Sequence, residues 1–331
     1  MTKLQDIADY LGVAPSTVSK GLNGANDISE DLRQQIIETA VEMGYVTKKM
    51  RKEKHRKLAI LFENMPYESK GDAGYAFALG FKQLAQKSNW TVETMSITPE
   101  MQSERKFDAF MLRHGLSGAF LVGFGADDIW LAQLRSSRTP AVIFGPVVSG
   151  PRVASISIDP GSMFGALLAN LTTQGHTQIA YFSGQKNHPD HDVLREAFQR
   201  ACQKAGLNPS QCPVALDVTH PSCAEDYVNT YIDRGVTAII CHDDSIAEGI
   251  YAECELLGYK IPDDLSVIGY GDCALCTSIS PMLTSIRMDA SIIGKSAYNT
   301  LEGLLAHLPV AQVLLRPSII IRQSTGTSKN A

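Results

Sequence analysis

The sequence predicts an α/β protein in which a small helical module precedes a core of two doubly wound parallel sheets. Three observations predict it. Helical periodicity with turn signals fills the first 45 residues, short apolar runs alternate with helical patterns from Leu58 onward, and this alternation starts again after the run at 154–159. The 331 residues are 44% hydrophobic and 20% charged, which is typical of a globular protein of two or three domains.

The N-terminal module begins with two short helices separated by a tight turn. Apolar residues recur at helical spacing over residues 4–11, and Gly12 ends this helix. Pro15 suits the first position of a second helix, whose buried side includes Val18. Its outward side chains are small and polar, so they fit a DNA groove and reach phosphates and base edges. They are Ser16, Thr17, Ser19, Lys20 and Asn23.

The run GVAPSTVSKGLN, preceded by LQDIADY and followed by ISEDLRQQIIETAVEMGY, resembles the DNA-binding headpiece of the lactose-repressor/galactose-repressor (LacI/GalR) family of bacterial transcription regulators. The resemblance implies a helix-turn-helix domain, whereas the residues alone also allow a helical module that packs against protein. Ala14 departs from the family, which usually has a capping Ser there. The residues expected to contact DNA are Leu4, Pro15, Ser16, Thr17, Ser19, Lys20, Asn23, Ser29, Tyr45, Lys48, Lys49, Arg51 and Lys52.

A basic linker over residues 48–57 is expected to separate this domain (1–47) from the core (58–331). The linker holds seven Lys or Arg against one Glu, whereas the core carries a net charge of −7. Phosphate neutralisation and a solvated linker both explain such a segment. Relatives usually have a hinge helix here, with a Pro and an apolar wedge where this chain has Thr47 and Lys54. The segment is also about one helical turn shorter, so we expect a shortened hinge.

The core is expected to form two lobes, the first near 58–156 and 287–314 and the second near 157–284 and 315–325. Apolar runs bounded by turn residues predict the strands, and longer amphipathic patterns predict the helices. The expected strands are 58–62, 91–97, 118–124, 140–145, 154–159, 179–184, 213–218, 238–243 and 265–272. The expected helices are 74–88, 100–114, 128–137, 161–174, 190–205, 222–234 and 244–257.

The core also resembles the periplasmic-binding-protein-like core of the same family, in segments such as SISID, HDDSIAEG and IPDDLSVIGYGD. The resemblance implies an effector-binding and dimerisation core with a small molecule between the lobes, by default a sugar or sugar phosphate and in a minority of relatives a nucleoside or purine. Because ligands of doubly wound sheets bind beyond the carboxyl ends of strands, Asp243, Asp272 and Arg195 are the candidate effector contacts.

Two departures from the family pattern affect these candidates. Gly271 stands where relatives often have a ligand-facing Asp, and Leu194 stands where they usually have an effector-binding Arg. Asp272 is therefore also compatible with a side chain that faces away from the effector, and Arg195 with an exposed helical Arg. Capping of the following helix is the alternative role for Asp243.

Other signals exclude several functional classes. Nucleotide-binding loops and nucleophile turns are missing, so we expect neither an enzyme nor a cofactor. The N-terminus lacks a secretory pattern, which predicts a cytoplasmic protein. The seven cysteines are expected to be reduced, and the lone pair Cys273 and Cys276 to be ordinary thiols. The polar run 188–192 is better explained as a loop entering a helix than as a metal site.

Together these features predict a homodimeric repressor that binds a near-palindromic operator under the control of a small-molecule effector. A solute-binding protein and a sugar- or nucleoside-processing enzyme of the same core fold remain the alternatives. The added headpiece and the missing secretory signal favour the regulator over the solute-binding protein.

Overall fold

The structure, a computed structural model, describes residues 3–25, 27–43, 45, 56–125 and 127–330. Within them the chain forms a helical headpiece and two six-stranded sheets dominated by parallel pairs, so the predicted fold class is confirmed. The first compact unit comprises Met1–Ser157 and Ala290–Leu314, and the second comprises Ile158–Asp289 and Leu315–Ala331. The chain enters each unit twice, and a C-terminal segment completes each sheet.

The headpiece contains three helices, α1 (Leu4–Leu11), α2 (Pro15–Leu22) and α3 (Glu30–Glu42). Gly12 ends α1 in the left-handed conformation (φ 66°), and Pro15 occupies the first turn of α2, as the sequence predicts. Ala14 precedes α2 without a side-chain cap. Ile7, Val18 and Ile36 are fully buried where the three helices meet, so one residue of each helix anchors a single small core.

The first unit contains a sheet with helices packed on it, and its elements are numbered along the whole chain. Its strands are β1 (Lys57–Phe62), β2 (Thr91–Ser96), β3 (Ala119–Val122), β4 (Ala141–Phe144), β5 (Val153–Ile158) and β11 (Gln312–Leu315). Its helices are α4 (Tyr75–Lys87), α5 (Pro99–Glu104), α6 (Phe107–Arg113), α7 (Ile129–Leu134) and α13 (Ala290–Leu305). The strand order is β11-β5-β4-β3-β1-β2, and β1 pairs in parallel with both β2 and β3.

The single helix expected over 100–114 is two helices, α5 and α6. Arg105 between them is extended (φ −148°, ψ 132°), and its carbonyl oxygen accepts a hydrogen bond from Trp130 Nε1 at 2.9 Å. Phe107 then starts α6 fully buried against Trp130, with ring centroids 5.5 Å apart. Tertiary packing therefore interrupts a helix that local propensity alone would continue.

The second unit repeats the architecture. Its strands are β6 (Ile179–Phe182), β7 (Val214–Ala215), β8 (Ala238–Cys241), β9 (Ser266–Tyr270), β10 (Thr284–Arg287) and β12 (Ser318–Ile320). Its helices are α8 (Pro160–Thr173), α9 (Pro189–Lys204), α10 (Val228–Asp233), α11 (Asp244–Leu257) and α12 (Leu275–Ser278). The strand order is β12-β10-β9-β8-β6-β7, in which β10 and β12 are antiparallel and the other neighbouring pairs are parallel.

Two elements of this unit differ most from the expectation. The strand expected over 213–218 covers only Val214–Ala215, because Asp217 takes a left-handed turn conformation (φ 58°) and accepts a hydrogen bond from Lys186 N. The helix expected over 222–234 is a 3₁₀ segment, Pro221–Asp226, followed by α10.

The helices of the described residues lack the length and hydropathy that a membrane span requires.

Helices α4 and α13 pack closely enough for their backbones to touch. A Cβ on Gly80 would lie 2.0 Å from the carbonyl oxygen of Ser291, and one on Gly294 would lie 2.1 Å from that of Phe77. On the same face of the first sheet, Phe81 of α4 stacks on Phe120 of β3 with ring centroids 5.7 Å apart. Glycine at both crossing positions therefore sets the separation of the two helices.

We predict that Gly80→Ala lowers the free energy of unfolding by about 1–3 kcal/mol, because the added methyl group forces the helices apart. Chemical denaturation followed by circular dichroism measures the loss. Gly165→Ala is the matched control, since a Cβ at this exposed helical glycine meets nothing within 4 Å. Alanine is the better helix former, so this variant should match the parent or gain up to about 1 kcal/mol. Equal losses in both variants would contradict the packing argument.

Candidate DNA-binding surface and effector site

Helix α2 presents the polar face that the sequence predicts. Val18 and Gly21 are buried, and a Cβ on Gly21 would lie 2.7 Å from Cδ1 of Ile36 in α3. Because α2 sits this close to α3, its opposite side remains open. On that side Ser16, Lys20 and Asn23 are exposed, whereas Thr17 and Ser19 are partly buried.

Polar side chains in and directly after α2 form hydrogen bonds within this segment and with one acidic neighbour. Asn23 Nδ2 donates to the carbonyl oxygen of Ser19 at 2.7 Å. The Lys20 ammonium group donates to the carboxylate of Asp27, and this hydrogen bond lowers the pKa of Asp27. Both partners are more than half exposed, so solvent screening keeps the ion pair weak. A DNA phosphate can therefore compete with Asp27 for Lys20.

The remaining predicted DNA contacts fall in three groups. Leu4 and Tyr45 pack against the headpiece core, while Pro15 is exposed at the start of α2. Ser29 is exposed, and its Oγ accepts a hydrogen bond from Leu32 N at 3.3 Å as α3 begins. Residues 46–55 lie outside the described residues. They include the predicted hinge and its basic candidates Lys48, Lys49, Arg51 and Lys52.

The headpiece also contacts the rest of the first unit through polar side chains. Arg113 of α6 forms an ion pair with Glu30 of α3 at 2.9 Å, and Arg105 Nε donates to Gln34 Oε1 at 3.2 Å. The two ion-pair partners are substantially exposed, and exposed pairs contribute about 0–1 kcal/mol. This contact is therefore weak compared with the apolar cores on either side of it.

Both sheets have the strand order of a doubly wound fold, in which the second strand is added on one side of the first and the later strands are added on its other side. In the second unit this switch point lies between β6 and β8. Ser183 directly follows β6, and His242 and Asp243 directly follow β8. Ligands of such sheets bind outside the carboxyl ends of the strands at this point. The predicted effector contact Asp243 therefore lies at the expected position in the fold.

Asp243 caps helix α11 and is also open to solvent. Its Oδ1 accepts a hydrogen bond from Ser245 N at 2.8 Å, and the side chain is exposed. The hydrogen bonds found among the described residues use this oxygen alone. The capping role is thus present, and it leaves Oδ2 available for a ligand hydroxyl.

Arg195 of α9 points toward the end of β6 rather than into solvent. Its guanidinium donates to Ser183 Oγ at 3.3 Å and pairs with Asp192, and its side chain is only 15% exposed. Leu194, at the family's usual Arg position, packs against the apolar core instead. The alternative of an exposed helical Arg therefore does not describe this residue.

Asp272 is occupied within the fold, which favours the alternative in which its side chain does not face the effector. It has a positive φ of 54°, and its side chain is 3% exposed. One carboxylate oxygen accepts from Arg322 Nη2 at 2.6 Å and the other accepts from Arg287 Nε. Because both oxygens are paired, Asp272 links the loop that follows β9 to two other parts of the unit, which are β10 and the segment after β12.

Gly271 explains why the family's Asp is missing at the preceding position. Its φ of 122° is a conformation that residues with side chains rarely adopt, and a Cβ there would lie 3.3 Å from Asp244 Oδ2. The end of β9 thus offers backbone but no carboxylate to a ligand. Asp243 remains the exposed acidic candidate at the neighbouring strand end.

Three histidines lie at this edge of the second sheet, and one of them, His242, was not among the candidates predicted from the sequence. The rings of His188 and His191 are 5.0 Å apart, and those of His191 and His242 are 5.4 Å apart. Burial lowers the pKa of His242, so its imidazole is neutral at pH 7. A polar run directly after an apolar strand, HDD here, was the signal that marked this position.

A buried carboxyl cluster occupies the corresponding switch point of the first sheet, between β1 and β3. Glu63 directly follows β1 and is 1% exposed. Gln102 Nε2 donates to Glu63 Oε1 at 2.7 Å and to Asp128 Oδ1 at 3.4 Å. Burial, together with the neighbouring Asp128, raises the pKa of Glu63 to about 7. Sequence periodicity gave no signal for this cluster, since its members are far apart in the chain.

Comparisons with known proteins agree with this geometry. Residues 3–48 match the family described as "Bacterial regulatory proteins, lacI family", and residues 168–325 match "Periplasmic binding protein-like domain". The HTH-type transcriptional regulator MalR of Streptomyces coelicolor is 26% identical, over 99% of this chain and 97% of its own length.

Two solved structures share the fold at 19% identity. A "transcriptional regulator CelR-cellobiose complex" has a TM-score of 0.62 and covers 98% of this chain and 100% of its own. A lac repressor dimer bound to operator and an anti-inducer has a TM-score of 0.63 and covers 98% of this chain and 99% of its own. The whole described chain, headpiece included, therefore has counterparts of the same architecture.

We predict that Glu63 makes stability fall as the pH rises. Its pKa is raised from 4.5 to about 7, so between these values the unfolded chain loses a proton that the folded chain keeps. The free energy of unfolding should decrease from pH 4.5 to 7 and level off above that range. Denaturation across this range should show a smaller decrease in Glu63→Gln. The exposed Glu68→Gln serves as control and should follow the parent, and an unchanged slope in Glu63→Gln would contradict the assignment.

Proposed function

This chain belongs to the lacI family of bacterial regulatory proteins and is a DNA-binding transcription regulator, and we propose that it represses transcription from a near-palindromic operator as a homodimer under sugar control. The exposed polar face of α2 carries the proposal. Two such helices on a two-fold axis read two half-sites, so dimerisation fixes the symmetry of the operator. In this proposal the protein regulates transcription and does not catalyse a reaction. It acts in the cytoplasm, where bacterial DNA is located.

We assign direct base contacts to the first turn of α2 and phosphate contacts to its cationic residue. Ser16 and Thr17 lie at the N-terminal end of the helix, which is the end that helix-turn-helix proteins direct at base edges. Lys20 lies one turn later, and its weak bond to Asp27 is exchangeable for a phosphate. The basic residues of the linker, Lys48 to Lys52, remain predicted to neutralise further phosphates.

We place effector recognition at the carboxyl ends of β6 and β8. Asp243 offers a carboxylate oxygen that accepts hydrogen bonds from hydroxyls, and Arg195 offers guanidinium donors beside Ser183. Neutral imidazoles such as that of His242 supply both a donor and an acceptor. This mixture of closely spaced donors and acceptors suits the alternating hydroxyls of a sugar. The cellobiose complex of a regulator with the same fold supports the sugar class.

We predict that Ser16→Ala and Thr17→Ala each cost about 1–3 kcal/mol of operator affinity and relax the preference at one base position. Lys20→Ala should weaken binding to all sequences alike and flatten the dependence of affinity on salt. Gel-shift titrations on an operator selected from random duplexes measure both effects.

The exposed Gln35 of α3 provides the control for these substitutions, and Gln35→Ala should bind as the parent does. If none of the three α2 variants changes operator affinity, α2 is not the reading helix.

We predict that Asp243→Asn weakens effector binding about tenfold and leaves effector-free operator binding unchanged, because the hydrogen bond to the ligand loses its charge. Asparagine still caps a helix, so α11 keeps its start. A thermal-shift screen of cellobiose, other mono- and disaccharides, their phosphates and nucleosides identifies the ligand, since saturation at 100 times Kd adds about 2.7 kcal/mol. Calorimetry then compares the variant with the parent.

The control is Asp264→Asn, which changes a carboxylate before β9 that accepts a backbone hydrogen bond from Lys260. Asp264 lies at the amino end of its strand, away from the proposed site, so this variant should bind the ligand like the parent. Equal affinities of Asp243→Asn and the parent would remove Asp243 from the effector site.

A further inference from the structure

Three groups that ligate metals converge beside the end of β9. They are the carboxylate of Asp244, in the first turn of α11, and the thiols of Cys273 and Cys276. The oxygen and both sulfur atoms all lie within 4.8 Å of one another. A CxxC pair on its own is a weak signal in a sequence, and here the fold adds a third group from a different helix.

The carboxylate of Asp244 is held firmly in place. Its Oδ1 accepts from Ser285 Oγ at 2.7 Å, its Oδ2 accepts from Cys273 N at 2.9 Å, and the residue is 2% exposed. A Cβ on Gly269 would lie 2.1 Å from Oδ1, so glycine at that position makes room for the carboxylate. Hydrogen bonds of this kind orient metal-ligating carboxylates in proteins.

The two cysteines combine a buried ligand with an accessible one. Cys276 is fully buried at the start of α12, and its N–H donates to the carbonyl oxygen of Cys273 at 3.1 Å. This turn brings both sulfur atoms to the same side of the segment as Asp244. Cys273 is exposed, so an ion has an entry path from solvent. A water molecule can occupy a fourth position on that open side.

We propose that Asp244, Cys273 and Cys276 bind a divalent metal ion of the zinc class. Two thiolates with one carboxylate form a donor set that zinc accepts, while magnesium and calcium prefer oxygen alone. Tetrahedral zinc places its ligand atoms about 3.3–3.8 Å apart, so closing the present separations takes shifts of about 1 Å or less. On binding, each thiol releases its proton to solvent and its sulfur donates an electron pair to the ion.

The position of the carboxylate favours a metal over a disulfide between the two cysteines. A disulfide uses the sulfur atoms alone, whereas an ion uses all three groups and offsets their negative charge. The proposal does not depend on the effector assignment, because it concerns different side chains. It links the segment after β9 to α11, the helix that Asp243 caps.

The test uses the full-length protein, reduced with a phosphine and stripped of metal with a chelator. Titration with Zn²⁺ against a chromophoric zinc indicator should show about one ion bound per chain. Titration with Co²⁺ should give a thiolate-to-cobalt charge-transfer band and the intense visible bands of tetrahedral cobalt. Cys276→Ser and Asp244→Asn should each weaken zinc binding by at least about tenfold.

Substitution of a buried ligand can unfold the protein and so leave the result uninterpretable. Cys273→Ser avoids this problem, because Cys273 is exposed. It should also weaken zinc binding and remove the charge-transfer band, with circular dichroism and effector-free operator binding unchanged. Cys223→Ser, at a thiol outside the cluster, is the matched control and should bind zinc like the parent. Absence of zinc binding, or zinc affinity unchanged in Cys273→Ser and Cys276→Ser, overturns the proposal.

Discussion

Burial of the parallel strands on both faces is the constraint on which the rest of this molecule depends. The central strands β3, β4, β6 and β8 are almost completely inaccessible, so they carry apolar side chains and no exposed chemistry. At the switch points, polar side chains lie directly after the strands. At the two switch points these are Glu63 in the first unit and Ser183, His242 and Asp243 in the second. The same layout makes the two units chemically different although they share a strand order.

The sequence predicted well those features that depend on neighbours in the chain. Gly12, Pro15 and the apolar residues between the turns determine the headpiece locally, so α1 has the predicted start and end and α2 has the predicted start. Apolar runs such as LAILF likewise predicted buried strands, because four or five consecutive apolar residues cannot face solvent. The predicted ends of an element were wrong where contacts with distant parts of the chain determine them. Trp130 holds the carbonyl of Arg105 and divides a predicted helix, which no pattern within 100–114 reveals.

The candidate effector residues show the same limit. Their strand-end positions follow from the sequence, but the partners of each side chain do not. Asp272 and Asp243 both follow strands, yet Arg322, fifty positions later, pairs with the carboxylate of Asp272, and that of Asp243 stays exposed. Glu63, Gln102 and Asp128 meet only because β1, α5 and the segment before α7 end at one edge. Such clusters are products of topology, so periodicity cannot detect them.

Consecutive carboxylates at the start of α11 have opposite orientations, and this makes the proposed effector site rigid. Asp244 points inward and is fixed by Ser285 and the N–H of Cys273, while Asp243 caps the helix and faces solvent. Anchoring the inward residue fixes the backbone that carries the outward one, so Asp243, the proposed effector contact, has little conformational entropy left to lose. A contact made at Asp243 therefore acts on a helix start already joined to β10 and to the segment after β9. Movement of α11 must then displace those elements as well, which is how one hydrogen bond at a strand end can affect a whole layer of the unit.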